Sequence, residues 1–176
     1  MCIKIIKCDT RQQRGKHENK MEWWARHNVP TITEKLETGD YTCDGSNIVI
    51  DTKRGLLEMS ANVCGKTTEH NRVRREMERA RDNGQRLYFL IECVGYGQLS
   101  DIARWTNDHC KKCAYACDPR NRREKCRKHG TRKPAQGDVL LKTLTTMARR
   151  YGCVFEVVNP KSSAKRICEL LGVPYE

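Results

Sequence analysis

The chain has 176 residues, enough for one domain with a real core, and carries 34 Lys and Arg against 22 Asp and Glu, a formal charge of +12. That balance favours a polyanionic partner; no apolar run is long enough to span a bilayer, so a membrane partner is not expected. Eleven cysteines, an odd number, occur without an apolar export segment in MCIKIIKCDTR, which points to free thiols or a metal site in the cytoplasm rather than to a disulfide framework.

In chain order, Ile3, Ile5 and Ile6 predict a first strand that ends at Cys8-Asp9. Gly15 breaks the chain, and 16–27 reads as a helix with Met21, Trp24 and the flanking Trp23 inward, stopped by Val29-Pro30. Residues 31–36 are a second strand, leading into a hairpin. Beyond the hairpin, 55–63 reads as a short helix with Leu56, Leu57 and Met59 inward, and 69–82 as a highly charged helix stopped at Asn83-Gly84. Residues 87–91 are a buried strand and 97–105 a further helix. After Pro134, the residues Val139, Leu141, Leu144, Met147 and Ala148 give an amphipathic helix to Arg150, ended by Gly152. A last strand over 153–158 and a last helix over 163–171, with Ile167, Leu170 and Leu171 inward, close the chain. Alternating strands and helices indicate an α/β layer architecture.

The hairpin carries the chemistry. In LETGDYTCDGSNIVIDTKRGLLE, residues 36–58, Gly39-Asp40-Tyr41 precede a turn at Asp44-Gly45, and Ile48-Val49-Ile50 run straight into Asp51-Thr52-Lys53. Side chains alternate along a strand, so Val49, Asp51 and Lys53 share one face while Ile48, Ile50 and Thr52 share the other. The turn returns Asp40 beside Asp51. Two carboxylates and a lysine on one patch suit Mg²⁺ or Mn²⁺, which take oxygen ligands and are held by one or two carboxylates plus substrate phosphate. Asp-x-Lys alone is a common triplet, and a solvated hairpin is the plain alternative.

The surrounding motifs sharpen the reading. Asp9-Thr10-Arg11 after the first strand, Leu36-Glu37-Thr38-Gly39-Asp40-Tyr41, Val49-Ile50-Asp51-Thr52-Lys53, Arg72 with Glu76 on the long helix, and Arg86-Leu87-Tyr88-Phe89-Leu90-Ile91-Glu92 occur in this order. In order and spacing the set resembles the XPF-type nuclease domain of the PD-(D/E)XK superfamily, in its small, single-domain, phage- or prophage-like form. The resemblance covers most of the chain, 140–171 included, except about 107–133. It implies a restriction-endonuclease-like central mixed β-sheet flanked by helices, with 1–176 one nuclease domain. It also implies a Mg²⁺-dependent endodeoxyribonuclease acting in DNA repair or recombination, possessing a metal site at Asp40, Asp51 and Thr52 and a catalytic lysine at Lys53. Asp9 is a second acidic contributor, or else an Asx-turn at a strand end. Arg72 would hold a phosphate, with Arg11 beside it, and Glu76 would orient the lysine or a water; the alternative is a surface i,i+4 pair. Glu18 and Glu22 offer an outer ligand or a solvated face, and His17 and His70 read as surface histidines. The chain departs from the family at Gln12, where the pattern has glutamate, at Asp51 for glutamate, at Glu76 for glutamine, and at Leu57, where an acid is expected one residue before Glu58. Flap or junction selectivity is an open part of the expectation, weakened because the helix-hairpin-helix module that often follows the domain is absent from this sequence.

Residues 107–133 are a cysteine-rich basic insertion. Cys110-x₂-Cys113 has zinc-knuckle spacing, and Cys117 and Cys126 complete a four-thiol set in which His109 or His129 can replace one member. The alternative is a disordered loop that happens to carry cysteines. Residues 109–133 hold ten Lys or Arg and two acids, +8 of the chain's +12. Lys111, Lys112, Arg122, Arg123, Arg127 and Lys128 therefore read as a sequence-independent phosphate clamp. The expected partner is DNA, with a homodimer left open. Two other readings compete: a DNA-binding module that kept the fold without catalysis, and a zinc-containing nucleic-acid-binding protein whose acids are structural.

Overall fold

The structure is a computed structural model that describes residues 4–12, 15, 17–115 and 117–176. Ile3 and Lys16, assigned above to the first strand and first helix, lie outside these residues, as does Ala116 of the insertion.

The β-branched run Ile48–Lys53 (β4) is central. It pairs in parallel with Arg86–Glu92 (β5) and antiparallel with Tyr41–Cys43 (β3). Ile6–Asp9 (β1) lies antiparallel to β3 and parallel to Thr31–Glu34 (β2), and Val154–Val158 (β6) extends the sheet beside β5. The result is an α/β fold on a six-stranded mixed sheet ordered β2-β1-β3-β4-β5-β6. Helices Glu18–Arg26 (α1) and Ser163–Leu171 (α6) cover one face; Leu56–Cys64 (α2), Thr67–Asp82 (α3) and Gly137–Tyr151 (α5) cover the other. A short helix, Asp108–Lys111 (α4), opens the insertion. Because both faces are covered, the central strands are apolar on both sides: Val49, Phe89 and Ile91 join the α2/α3/α5 core, whereas Ile50 and Leu90 join the α1/α6 core. Among the described residues no helix is long and apolar enough to cross a membrane.

Several local expectations shift by a turn or a face. On α1, Met21 is 36% exposed and Lys20 takes the inner position. The reason is periodicity anchored on Trp24: its i−4 neighbour is Lys20, whose charge is met by Glu92. On α5 the buried stripe is Leu140, Leu144, Met147 and Tyr151, with Val139 and Leu141 on its flanks. Residues 97–105 supply a 3₁₀ helix, Leu99–Arg104, instead of an α-helix. Strand β2 stops at Glu34, and β6 starts at Val154 rather than at residue 153.

Strands β1, β4, β5 and β6 point the same way, so their carboxyl ends share one edge of the sheet, where ligands of open α/β sheets are bound. The insertion leaves and rejoins the core through a closed base. Asn107 N donates to Gln136 Oε1 at 3.0 Å, and Asn107 Nδ2 to Ala135 O at 3.2 Å. Gly137 N donates to Trp105 O at 2.9 Å. A Cβ at residue 137 would meet Ile102 O at 1.9 Å, so only glycine lets α5 start this close to the 3₁₀ turn.

Candidate active site

The hairpin brings Asp40 to Asp51. Tyr41 is paired with Ile50, and Asp40 N donates to Ile50 O at 2.6 Å, so the two aspartates stand across the ladder at the carboxyl end of β4. Gly39 makes the entry: its φ is +73°, and a Cβ there would lie 2.9 Å from Ile50 O. Thr52, fully buried, donates its N–H and its hydroxyl to Asp40 Oδ2 at 2.8 and 2.7 Å. The threonine thus fixes Asp40, its N–H and its hydroxyl proton both committed to that carboxylate.

Lys53 Nζ lies 2.6 Å from Asp51 Oδ1, and both residues are buried. The ammonium meets that buried oxygen directly, so Asp51 Oδ1 is paired inside the cleft. Burial above all, helped by the carboxylates of Asp40 and Glu76 and opposed by Lys53, raises the Asp51 carboxyl from 3.8 to about 7. For Lys53 burial acts downward, but Asp51, Glu76 and Asp40 more than offset it, and its pKa is raised. Lys53 is therefore held as an ammonium among three carboxylates.

The remaining expected residues divide. Glu76 belongs to the site: its Oε1 accepts from Gly39 N at 3.3 Å. It is not paired with Arg72, which instead reaches Glu69 at 3.2 Å and Asn62 Oδ1 at 3.5 Å. Asp9 borders the same cleft, but its carboxylate is engaged by Arg11 Nε and by Leu36 N, so it braces the loop that carries Gly39. Glu58 caps the start of α2 by accepting from Arg54 N at 2.7 Å, and Leu57 packs against the core. Glu18 and Glu22 are exposed, which leaves them on the solvated face.

Residues that the sequence did not mark as functional also join the cleft, Gln12, Asn62 and Arg79 among them. Gln12, at a departure from the family pattern, donates to Asp40 O at 2.7 Å. Asn62 is buried beside Arg72. Arg79 reaches Glu37 O at 2.7 Å. His17, expected on the surface, bonds through Nδ1 to the buried Tyr41 hydroxyl. The sequence cue to Gln12 was its place, directly after Arg11, where the family pattern has glutamate; Asn62 and Arg79 come from helices, at positions no local pattern marks.

The cleft consists of two adjoining cavities of ≈ 600 and ≈ 330 Å³ that share Arg11, Asp40, Asp51 and Arg72. A larger cavity of ≈ 710 Å³ lies elsewhere, between the insertion and helices α2 and α5, lined by Arg122, Arg123, Lys125 and Arg132. Helix α2 joins the two regions: Glu58 and Asn62 face the acidic cleft, while Val63 and Cys64 face the basic cavity. Of the basic insertion residues, Lys112 and Lys128 line the cysteine cavity, Lys111 pairs with Asp108 at 3.3 Å, Arg122 pairs with Asp138 at 2.5 Å, and Arg127 is exposed. None of these lines the acidic cleft.

Among the described residues no three His, Cys, Asp or Glu side chains form a ready-made metal-binding group. The acidic cleft nevertheless fits Mg²⁺ or Mn²⁺ by its donor chemistry. It offers two carboxylates side by side across the ladder, oxygen donors of the kind these ions take, and Mg²⁺ completes its shell with water and phosphate. Against known protein families and curated proteins, the chain gives no match.

Proposed function

We propose that the chain is a metal-dependent endodeoxyribonuclease, with a restriction-endonuclease-like fold of the XPF type. The observation that carries the reading is the juxtaposition of Asp40 and Asp51 across the β3–β4 ladder, with Lys53 2.6 Å from Asp51. A mixed sheet that gathers acids and a lysine at its strand ends is what a phosphodiesterase of this kind requires.

Asp40 and Asp51 would hold Mg²⁺ or Mn²⁺, with Thr52 keeping Asp40 in place. When bound, the ion supplies Lewis-acid polarisation of the phosphate and a lower pKa for water. A cation beside Asp51 would favour its ionised form. The Lys53 ammonium offers positive charge to the phosphate oxygens or to the attacking water as negative charge grows there. Arg11 and Arg72, on the rim shared by both parts of the cleft, are placed to take flanking phosphates. Glu76 orients the Gly39 backbone and adds negative potential near Lys53. The basic cavity across α2 supplies sequence-independent attraction for the rest of the DNA, which supports contact beyond the scissile bond.

The test is cleavage of a mixed panel of single-stranded, duplex, flap and junction DNAs with Mg²⁺ or Mn²⁺, with and without EDTA. EDTA-sensitive cleavage that Asp51→Asn abolishes supports the reading. DNA binding without cleavage of any substrate leaves a binding module, and cleavage retained in highly purified Asp51→Asn protein removes the metal assignment.

A further inference from the structure

We propose that the insertion carries a structural zinc site built from the thiolates of Cys110, Cys113, Cys117 and Cys126. This does not depend on the nuclease reading. All four cysteines line one cavity of ≈ 310 Å³, together with His109 and His129. Cys110 and Cys113 flank a tight turn in which Cys113 N donates to Cys110 O at 3.2 Å, the arrangement from which a C-x₂-C pair reaches a single ion. Cys126 opens a second turn, its carbonyl accepting from Gly130 N at 2.7 Å and from His129 N at 3.3 Å. Gln136 Nε2, part of the closed base, donates to Cys110 Sγ at 3.4 Å. Hydrogen bonds of this kind orient the ligands of metal sites.

The segment needs such a centre. Among its described residues between 108 and 135, only Cys126 is buried. No apolar cluster holds it together, and Tyr115 is 52% exposed. A loop of this length without a core is uncommon in a compact domain unless something clips it. Among the described residues, these side chains ring the cavity without converging into a three-ligand group. Binding would therefore draw the sulfurs inward, release their protons to solvent, and order the loop in the same step. Charge selects four thiolates over a set that includes histidine. Zn²⁺ with four thiolates carries a net −2, and Lys112, Lys128 and Lys133 line the same cavity to offset it.

The experiment uses the full chain purified without chelator. Elemental analysis should find about one zinc per chain. Co²⁺ in place of Zn²⁺ should give tetrahedral d–d absorption together with a thiolate-to-metal charge-transfer band. Replacing both Cys110 and Cys113 with serine should remove both signals and open residues 112–133 to protease while the remainder of the chain stays resistant. Cys64→Ser, outside the cavity, and His129→Asn should keep the metal. Absence of zinc together with absence of the Co²⁺ bands overturns the proposal, as does full zinc content in the double variant. Metal lost from His129→Asn but kept in Cys117→Ser overturns the four-thiolate assignment.

Discussion

The acidic cleft and the cysteine-rich insertion are built in opposite ways. The three aspartates of the cleft are held by the fold: Asp40 by Thr52 and Gly39, Asp51 by its place on β4, Asp9 by Leu36 N and Arg11. The insertion has a closed base at Asn107 and Gln136 and almost no buried interior beyond it. One region is therefore held rigid by the core at an electrostatic cost to Asp51, while the other has little buried structure to lose. Metal binding should tune the first and organise the second.

The largest expected effect tests the chemistry of the cleft. Lys53→Ala and Asp51→Asn should each lower single-turnover DNA cleavage by about 10³-fold or more, since the first removes positive charge offered to the phosphate and the second a carboxylate that would hold the metal. Circular dichroism should stay that of the wild type. An undiminished rate in either would detach the cleft from catalysis.

The electrostatic cost gives a second test. In the folded, metal-free chain Asp51 holds its proton up to about 7, against 3.8 for an exposed carboxyl. Between those values the folded state binds the extra proton, so metal-free stability should fall as pH rises from about 4 to about 7. Asp51→Asn should remove that slope and, at pH 8, stabilise the metal-free protein by about 1–2 kcal/mol, part of the gain being offset because Lys53 loses its nearest partner. At this chain length that is about 2–4 °C of Tm per kcal/mol. A melting temperature lower than the wild type under these conditions would mean that the ion pair outweighs the burial of Asp51.

Gly39→Val probes the backbone that aims Asp40. A Cβ meeting Ile50 O at 2.9 Å, at φ +73°, should cost about 1–3 kcal/mol in thermal unfolding and reduce cleavage as well. A stable but inactive variant would sharpen the assignment of Asp40. In the basic cavity, alanine at both Arg122 and Arg123 should flatten the slope of log affinity against log salt by about 2, and leave cleavage at saturating protein unchanged. An unchanged slope would move DNA binding away from the insertion, to the helix carrying Arg72. The smallest effect is expected on the exposed face of α1, where Glu18→Gln and Glu22→Gln should alter stability by less than about 0.5 kcal/mol and cleavage not at all.

The hairpin was legible because each of its cues is local. The Asp44-Gly45 turn, the alternation along β4 and the turn glycine at residue 39 together fix which side chains meet. Position along a helix was less legible where a charged residue replaced an apolar one in the buried stripe. Lys20 took the place that apolar periodicity gave to Met21, because Glu92 on β5 and Ser163 on α6 form a polar partner set for it. Roles drawn from a family pattern fared unevenly for a related reason. Arg72 and Glu76 are one turn apart, yet one faces Asn62 on α2 and the other the Gly39 backbone, choices set by packing between helices and sheet.

By itself the sequence determined the elements, the alternating faces of β4, the acids beside the lysine, and the clustering of thiols and positive charge in one insertion. These follow from period, turn chemistry and composition, which act over a few residues. Only the tertiary structure decided that Asp9 braces the backbone at Leu36, that Gln12 and Asn62 enter the cleft, and that the basic cavity lies across α2 from the acids. Those outcomes depend on which distant elements pack together. A side chain's partners there are chosen by burial and charge across the sheet, and no local pattern encodes them.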